Sequence, residues 1–292
     1  MNIQAFHDAA TGTFTYVVDD GHGSCAVVDP VIGFDLEAGQ LDPGPVERVA
    51  DWVRGHDLRV EWLLETHAHA DHVSGASWLK DRLGGTVAVG AQIREVQALF
   101  ESVFPEVTQG AAAFDCLLQP GERFAIGRLQ AQAIAVPGHT PADLAYRVSG
   151  SDGEPDAVFV GDTLLMPAAG TARCDFPGGS AADLYRSVRH LLELPACTRL
   201  YVCHDYPAAG EAARCMATVA EHRAGNAHVR DGIDLPAFVA LREARDATLS
   251  LPRLIIPALQ LNLRAGRLPR PEANGVAYLR IPIGAFGQPR AR

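Results

Sequence analysis

The sequence predicts a mixed α/β (α+β) protein in which two sheets pack face to face and helices cover their outer sides. Two observations support this prediction. Both halves of the chain, roughly 1–150 and 151–292, alternate short strand patterns with amphipathic helix patterns. No repeat, low-complexity run or long linker separates the halves, so we expect one compact domain over 1–292.

In the first half, the pattern predicts a hairpin followed by alternating helices and strands. Gly21-His22-Gly23 forms the hairpin turn, Pro45 begins the first helix, and Gly84-Gly85 ends the second. The predicted elements are a hairpin of 13–20 and 24–31, helices at 45–57 and 73–83, and strands at 60–67 and 86–90.

In the second half, three strands precede a strongly amphipathic helix and a further strand. The predicted strands are 128–138, 144–150, 156–162 and 199–205, and the helix is 183–194. An extension beyond about residue 207 is expected to wrap around the core. The residue pattern of this extension predicts helices near 210–225 and 235–247, followed by short strands interrupted by prolines.

The composition disfavours several classes of protein. A net charge of −10 repels phosphate backbones, so no nucleic-acid partner is expected, and the basic stretch from Arg264 to Arg292 is interpreted as solvated surface. The first residues lack the features of a secretory signal, and no stretch reaches the roughly 18 apolar residues of a membrane span. We therefore expect no membrane partner. Six cysteines without a C-x-x-C pair favour a reducing, cytoplasmic compartment.

Residues 66–72 read Thr-His-Ala-His-Ala-Asp-His, and this stretch predicts a metal site. Burying His67, His69, Asp71 and His72 together without a metal would leave a large desolvation cost uncompensated. Imidazole and carboxylate groups without thiolate suit catalytic zinc or non-haem iron. Three further candidates follow predicted strands, namely His139, Asp162 and His204. The remaining histidines are interpreted as surface or core residues: His7, His22, His56, His190, His222 and His228.

These residues resemble the five-motif pattern of the metallo-β-lactamase superfamily. The matching motifs are 66–72 with Gly75, Pro-Gly-His-Thr at 137–140, Gly-Asp at 161–162, and His204. The resemblance implies an αβ/βα four-layer sandwich with the metal site at one edge, between the sheets. Similar hydrolases such as glyoxalase II hold two metals, and this resemblance implies two ions of zinc, iron or manganese here. The implied ligands are His67, His69 and His139 for one metal, Asp71, His72 and His204 for the other, and Asp162 as the bridge. A bridging hydroxide would attack a thioester.

Other segments resemble the persulfide dioxygenases, especially their bacterial β-lactamase-hydrolase-like branch. They are GTARCDFPGG (170–179), CHDY (203–206), TVAEHRAGN (218–226) and LPRLIIPALQLNLRAG (251–266). This resemblance implies one catalytic Fe(II) per chain, held by His67, His139 and Asp162. The resemblance then implies that the other four residues do not bind the iron but hold water and orient its ligands: His69, Asp71, His72 and His204. The implied reaction converts glutathione persulfide, or a similar small persulfide, with O₂ and water to thiol and sulfite in sulfide detoxification.

Arg173, Tyr206 and Arg223 are the candidates for the substrate pocket. Two guanidinium groups and a phenol suit a peptide with two carboxylates, although an ion pair with Asp175 is the competing interpretation of Arg173. Cys174 is interpreted as an idle thiol. Asn262 and Arg264 are interpreted as braces of the site. The resemblance also allows a homodimer.

Three functions from different classes remain at this point. The sequence favours the iron dioxygenase, because the 170–179 segment matches that family. A dinuclear thioester hydrolase is the alternative, because all seven ligands are present. A non-catalytic sulfur- or metal-binding partner of a sulfide-responsive system is least favoured, because a scaffold has no need of an open coordination position.

Overall fold

The computed structural model of the protein describes residues 1–107, 113–150, 153–208 and 210–285. The strands are β1 Asn2–Asp8, β2 Thr13–Asp19, β3 Ser24–Val28, β4 Val31–Asp35, β5 Gln40–Asp42, β6 Arg59–Leu64, β7 Val73–Ser74, β8 Thr86–Gly90, β9 Cys116–Leu118, β10 Arg123–Ile126, β11 Leu129–Ala135, β12 Leu144–Val148, β13 Ala157–Phe159, β14 Arg199–Tyr201 and β15 Met216–Thr218. The helices are α1 Gly44–Gly55, α2 Ala76–Leu83, α3 Ile93–Glu101, α4 Ala181–Leu191, α5 Val219–Gly225, α6 Leu235–Asp246 and α7 Ile255–Asn262.

Two six-stranded sheets form the centre of the molecule. The first has the order β1-β2-β3-β6-β8-β9 and the second the order β10-β11-β12-β13-β14-β15, while β5-β4-β7 form a small third sheet. The inner faces of the two large sheets meet in one apolar cluster that includes Tyr16, Leu64, Tyr146 and Phe159. The hydroxyl of Tyr146 crosses this interface and donates to the carbonyl oxygen of Glu65 at 2.8 Å.

Helices cover the outer face of each large sheet, as the sequence predicts. α1 and α2 bury Val46, Val49 and Leu79 against strands of the first sheet. α4 and α6 bury Val188 and Phe238 against the second sheet. The result is a four-layer mixed α/β sandwich, and it confirms the predicted fold class. In the described ranges, no helix is both long and apolar enough to cross a bilayer.

The predicted elements of the first half match the structure with small shifts at their ends. The hairpin of 13–20 and 24–31 is β2 and β3, but the second strand stops at Val28 because Asp29 turns out of the sheet with φ 48°. The helix predicted over 73–83 begins only at Ala76, since Val73–Ser74 pairs with β4 as a short strand.

The C-terminal extension differs most from the sequence prediction. Instead of a helix over 210–225, β15 joins the edge of the second sheet and α5 follows it, with Thr218 and Glu221 forming a capping box. The short strands predicted after 247 are wrong: Ile255–Asn262 is helix α7. Pro257 lies in the first turn of α7, where its missing N–H is harmless, so it does not break the helix.

Candidate metal centre

Loops that follow strands carry every predicted metal ligand to one edge of the two large sheets. The loop after β6 holds His67, His69, Asp71 and His72. His139 follows β11, Asp162 follows β13, and His204 follows β14 and bridges to Thr13 of the first sheet. The structure therefore brings together all seven residues that the sequence analysis singled out.

The seven side chains divide into two groups. In the first, the ligand atoms of His67, His139 and Asp162 lie within 4.8 Å of one another. Asp162 Oδ2 is 3.8 Å from His67 Nε2 and 3.5 Å from His139 Nε2. This group contains two imidazoles and one carboxylate, which is the ligand set of a non-haem iron triad.

The second group contains His69, Asp71, His72 and His204, again with ligand atoms within 4.8 Å of one another. His204 Nε2 lies 3.1 Å from Asp71 Oδ2 and 3.3 Å from Asp162 Oδ1. Asp162 thus faces both groups. The His69 ring is equally near both groups, with its centroid 4.0 Å from that of His67 and 4.1 Å from that of His72, whereas the dinuclear pattern implied by the sequence assigns it to the metal of His67 and His139.

Hydrogen bonds fix the orientation of the imidazole rings. His139 Nδ1 donates to the carbonyl oxygen of Arg173 at 2.7 Å, and His67 Nδ1 lies 3.0 Å from Thr66 Oγ1. His69 is turned the other way, since its Nε2 lies 3.0 Å from Asp29 Oδ1. Such outer bonds select which ring nitrogen faces a metal.

The inward-facing atoms are buried and lack hydrogen-bond partners among the described residues. They are His67 Nε2, His69 Nδ1, His72 Nε2, His204 Nε2 and Asp162 Oδ1. Each unsatisfied buried polar atom costs about 1–3 kcal/mol. A bound cation removes this cost, because it is a partner for every lone pair at once. The residues present therefore fit a metal ion.

Electrostatics keep most of this donor set able to bind a cation. Burial lowers the pKa of His67 well below its ordinary value, and His69 and His139 add to that effect. His67 is therefore neutral at neutral pH, as a ligand must be. Burial alone would raise the pKa of Asp71, but His204 and His72 hold it well below its usual range. Burial opposes charge on His69, yet Asp29 and Glu65 together raise the pKa of His69 well above its ordinary value.

A cavity of about 360 Å³ opens beside the first group, and Asp71, His139, Asp162 and His204 form part of its wall. Of the predicted substrate residues, Arg173 and Tyr206 line it. The Tyr206 side chain is 66% exposed and its ring is parallel to that of His204, with centroids 5.9 Å apart.

The structure supports the competing interpretation of Arg173. Its guanidinium makes two hydrogen bonds of 2.6 Å to Asp175 and a third to the carbonyl oxygen of Ser250. Arg223 does not line this cavity; its side chain is exposed and bonds Asp231 at 3.0 Å. Cys174 is buried, which raises the pKa of its thiol to about 12, so the thiol is protonated at neutral pH.

The structure adds residues that the sequence analysis did not identify. Asp29 contacts His69, and Arg242 and Arg245 of α6 line the cavity. The position of Asp29 in the sequence could have marked it as a site residue, because it directly follows a buried strand, as the metal ligands do. The two arginines had none, since a helical Leu-Arg-Glu-Ala-Arg-Asp run is typical of a solvated surface. Asn262 is the brace that the sequence predicted: its side-chain amide donates to the carbonyl oxygens of His69 and His72 at 2.8 and 2.7 Å.

Comparison with known proteins agrees with this geometry. Residues 9–204 match the model of the metallo-beta-lactamase superfamily. A protein of Burkholderia pseudomallei named probable metallo-hydrolase is 47% identical over 98% of this chain and 100% of its own length. The chain therefore belongs to the metallo-beta-lactamase superfamily, and its edge site is the metal-binding His/Asp cluster of that superfamily.

Two further relatives have names that state an activity. A bovine protein named persulfide dioxygenase ETHE1, mitochondrial, is 29% identical over 87% of this chain and 84% of its own. A hydroxyacylglutathione hydrolase of Shewanella oneidensis is 33% identical over 57% of this chain and 56% of its own. The crystal structure of ETHE1 from Myxococcus xanthus is similar with a TM-score of 0.71 at 29% identity, covering 91% of this chain and 100% of that one.

Proposed function

We propose that the protein is a non-haem Fe(II) persulfide dioxygenase with one iron per chain. The observation that carries the proposal is the group of His67, His139 and Asp162, two imidazoles and one carboxylate whose ligand atoms lie within 4.8 Å of one another. Similarity to proteins named ETHE1 over most of the chain supports it. The proposed reaction is glutathione persulfide, or a similar small persulfide, plus O₂ and water giving the thiol and sulfurous acid, which ionises to sulfite.

The bound metal would supply an electron source for O₂, a capacity that iron has and zinc lacks. The protein residues position the reactants. The carbonyl oxygen of Arg173 holds the His139 ring in place, and the cavity beside Asp162 admits the persulfide end of the substrate. Exposed Tyr206 and Arg245 lie on the cavity wall, where a phenol and a guanidinium can bind the carboxylates of glutathione.

A dinuclear thioester hydrolase of glyoxalase II type is the second candidate. One observation favours it: His69, Asp71, His72 and His204 form their own group, with unsatisfied nitrogens on all three histidines. These four residues can hold a second metal, with Asp162 facing both positions. The Shewanella relative named hydroxyacylglutathione hydrolase is consistent with that reading.

Metal analysis combined with an oxygen-electrode assay separates the two functions. Protein loaded anaerobically with Fe(II) is expected to hold one iron per chain and to consume O₂ when glutathione persulfide is added. Two metals per chain, with thioester cleavage and no persulfide-dependent O₂ uptake, would identify the hydrolase instead. Asp162→Ala is expected to remove the metal under either function and serves as the inactive control.

His72→Ala distinguishes one metal from two within a single variant. His72 belongs to the second group only, so the single iron at His67, His139 and Asp162 should remain bound. A protein that lost all of its metal in this variant would contradict the assignment of ligands. His190→Ala, an exposed histidine on α4, is the matched control for the loss of an imidazole.

We place this reaction in the cytoplasm. All six cysteines of the chain are unpaired, including buried Cys25, Cys174 and Cys203. Unpaired thiols suit a reducing compartment, which is also where a small thiol such as glutathione is kept reduced.

A further inference from the structure

A second cavity of about 740 Å³ shares no lining residue with the cavity beside the metal centre, and four arginines line it. Its walls carry Arg82 from α2 and Arg264, Arg267 and Arg270 from the segment after α7. Ser74, two residues beyond the last histidine of the metal-binding loop, also lines it. We call this cavity the arginine cleft. Arg264 and Arg267 are half-buried, so this part of the basic C-terminal stretch is not the solvated surface that the sequence suggested.

Within the described parts of the chain, carboxylates offset the positive charge of the arginine cleft only through space. No ion pair there joins any of the four arginines to a carboxylate, although Asp115 acts electrostatically on Arg267 and Glu106 on Arg264. The Arg82 guanidinium donates to the carbonyl oxygen of Trp78 at 3.2 Å, and that of Arg264 donates to the carbonyl oxygen of Leu268 at 3.1 Å. Asp81 is the one carboxylate among the lining residues, and nearby Asp115 is already paired with Lys80. Four arginines against one aspartate stand out in a protein whose net charge is −10.

The backbone that presents these arginines is fixed rather than loose. Gly266 has φ 75°, and a Cβ placed there would lie 2.3 Å from the carbonyl oxygen of Ser74. Asn262, at the end of α7, accepts from the Ser74 N–H at 2.8 Å and donates to the carbonyl oxygens of His69 and His72. The turn that carries Arg264 and Arg267 is therefore held against the metal-binding loop. Guanidinium groups carried on a fixed backbone lose less entropy when they bind an oxyanion than groups carried on a mobile one.

We propose that the arginine cleft binds a small organic anion with two or more oxyanion groups, phosphate or carboxylate, at a site separate from the metal centre. Several guanidinium groups can pair with such a ligand at once, in the bidentate geometry that arginine favours. The Trp78 ring forms part of the wall, and the Arg82 guanidinium stacks 3.5 Å from its centroid, so the ring holds this guanidinium at the cavity. The cavity volume falls within the usual range of small-molecule sites, roughly 300–1,000 Å³.

Titration calorimetry on the metal-loaded protein tests the proposal. Fructose 1,6-bisphosphate, citrate and inorganic phosphate are the probes, and low ionic strength limits screening of the charges. We expect saturable binding, one per chain, of the bisphosphate or citrate and much weaker binding of inorganic phosphate. Whichever of the first two binds more tightly identifies the oxyanion class.

Matched double variants separate binding in the arginine cleft from binding elsewhere. Arg267→Gln with Arg270→Gln should weaken binding at least tenfold. Arg94→Gln with Arg123→Gln removes the same charge from exposed positions outside the cleft and should leave binding unchanged. Circular dichroism and the melting temperature confirm that each variant folds.

Three outcomes would overturn the proposal. One is the absence of saturable binding to the unmodified protein. Another is equal weakening in both double variants, as a general charge effect would give. The third is binding that persists in the cleft variant, as direct coordination of the probe to the metal would give. None of these depends on whether the metal centre is a dioxygenase or a hydrolase.

Discussion

Asp29 is the residue that joins the first sheet to the metal-binding loop. Its carboxylate accepts from the Thr66 N–H at 2.8 Å and from the Thr66 hydroxyl, and it faces His69 Nε2 at 3.0 Å. Asp29→Asn keeps the shape but removes the carboxylate charge, and it leaves only one oxygen to accept from the Thr66 hydroxyl, which lies 3.0 Å from Nδ1 of the ligand His67. We expect the affinity for the metal to fall by about 10- to 100-fold, as is typical when an outer partner of a ligating histidine is lost.

Competition with a chelator measures this change. Asp35→Asn, at an exposed carboxylate, is the matched control and should bind metal like the unmodified protein. Equal affinity in Asp29→Asn and Asp35→Asn would show that Asp29 supports the fold without tuning the site.

Gly138 shows how closely the metal-binding loops pack on the helices. It precedes His139 and has φ 147°, and a Cβ at this position would lie 2.3 Å from the backbone nitrogen and Cα of Leu184 in α4. Because helix backbone cannot give way cheaply, we expect Gly138→Ala to destabilise the protein by roughly 1–3 kcal/mol from overpacking alone.

Urea unfolding of Gly138→Ala and Gly232→Ala isolates the clash. Gly232 also has positive φ, 96°, but nothing lies within 4 Å of its added Cβ. Gly232→Ala therefore shows only the cost of the backbone conformation. If the two variants lost the same stability, the close contact with α4 would not be the cause.

At the scale of elements, α6 supports the loop that lines the cavity beside the metal centre. Arg242 and Asp246 form a buried ion pair on this helix, Arg242 also donates to the carbonyl oxygen of Thr171, and Asp246 accepts from the Cys174 N–H. Arg242→Leu would leave the Asp246 carboxylate buried without its cation. We expect a loss of about 3–5 kcal/mol in urea unfolding. The double variant Arg242→Leu with Asp246→Leu should recover part of that loss; a further loss would mean that the charges themselves are required.

Arg245 lies on the same helix but faces solvent at the cavity mouth. Arg245→Gln should leave the stability unchanged. If Arg245 binds a carboxylate of the substrate, the variant should raise KM for glutathione persulfide by about tenfold with little change in kcat, because one charge-assisted contact is lost. A lower kcat at unchanged KM would instead assign Arg245 a role in the chemical step.

At the scale of the whole molecule, buried histidines make stability depend on pH. Burial lowers the pKa of His222 and of His228 to about 4, with Arg242 adding to the effect at His228. The unfolded chain takes up these protons near pH 6.5, so the stability they contribute is present above that pH and is lost as the pH falls towards 4. Asp143 opposes this trend: burial raises its pKa to about 6, so its contribution is lost as the pH rises from about 4 to 6.

Urea unfolding of the metal-free protein between pH 4 and 7 tests this linkage. The slope of stability against pH in His222→Gln should be shallower than in the unmodified protein by up to one proton, about 1.4 kcal/mol per pH unit. His190→Gln, an exposed histidine, should keep the original slope. Identical slopes in all three proteins would mean that His222 titrates alike in the folded and unfolded states.

The sequence predicted those parts of the fold that depend on local patterns. The hydrophobic period predicted α1, α4 and α6, and the β2–β3 hairpin follows from its glycine turn. The hydrophobic period of the C-terminal extension did not distinguish helix from strand. β15 forms there because it pairs with β14 at the edge of the second sheet. α7 is apolar on most of its surface because the core encloses it, so it has no polar face to mark it as a helix.

By itself the sequence determined the fold class and the seven candidate ligands, since their chemistry is a property of the residue types and their motifs. Only the tertiary structure decided how those ligands are arranged, with His69 beside both His67 and His72 and its Nε2 turned towards Asp29. It also decided which arginines line the cavity beside the metal centre and which line the arginine cleft. Such choices depend on distances between residues far apart in the chain, up to 193 positions between His69 and Asn262, and folding alone sets those distances.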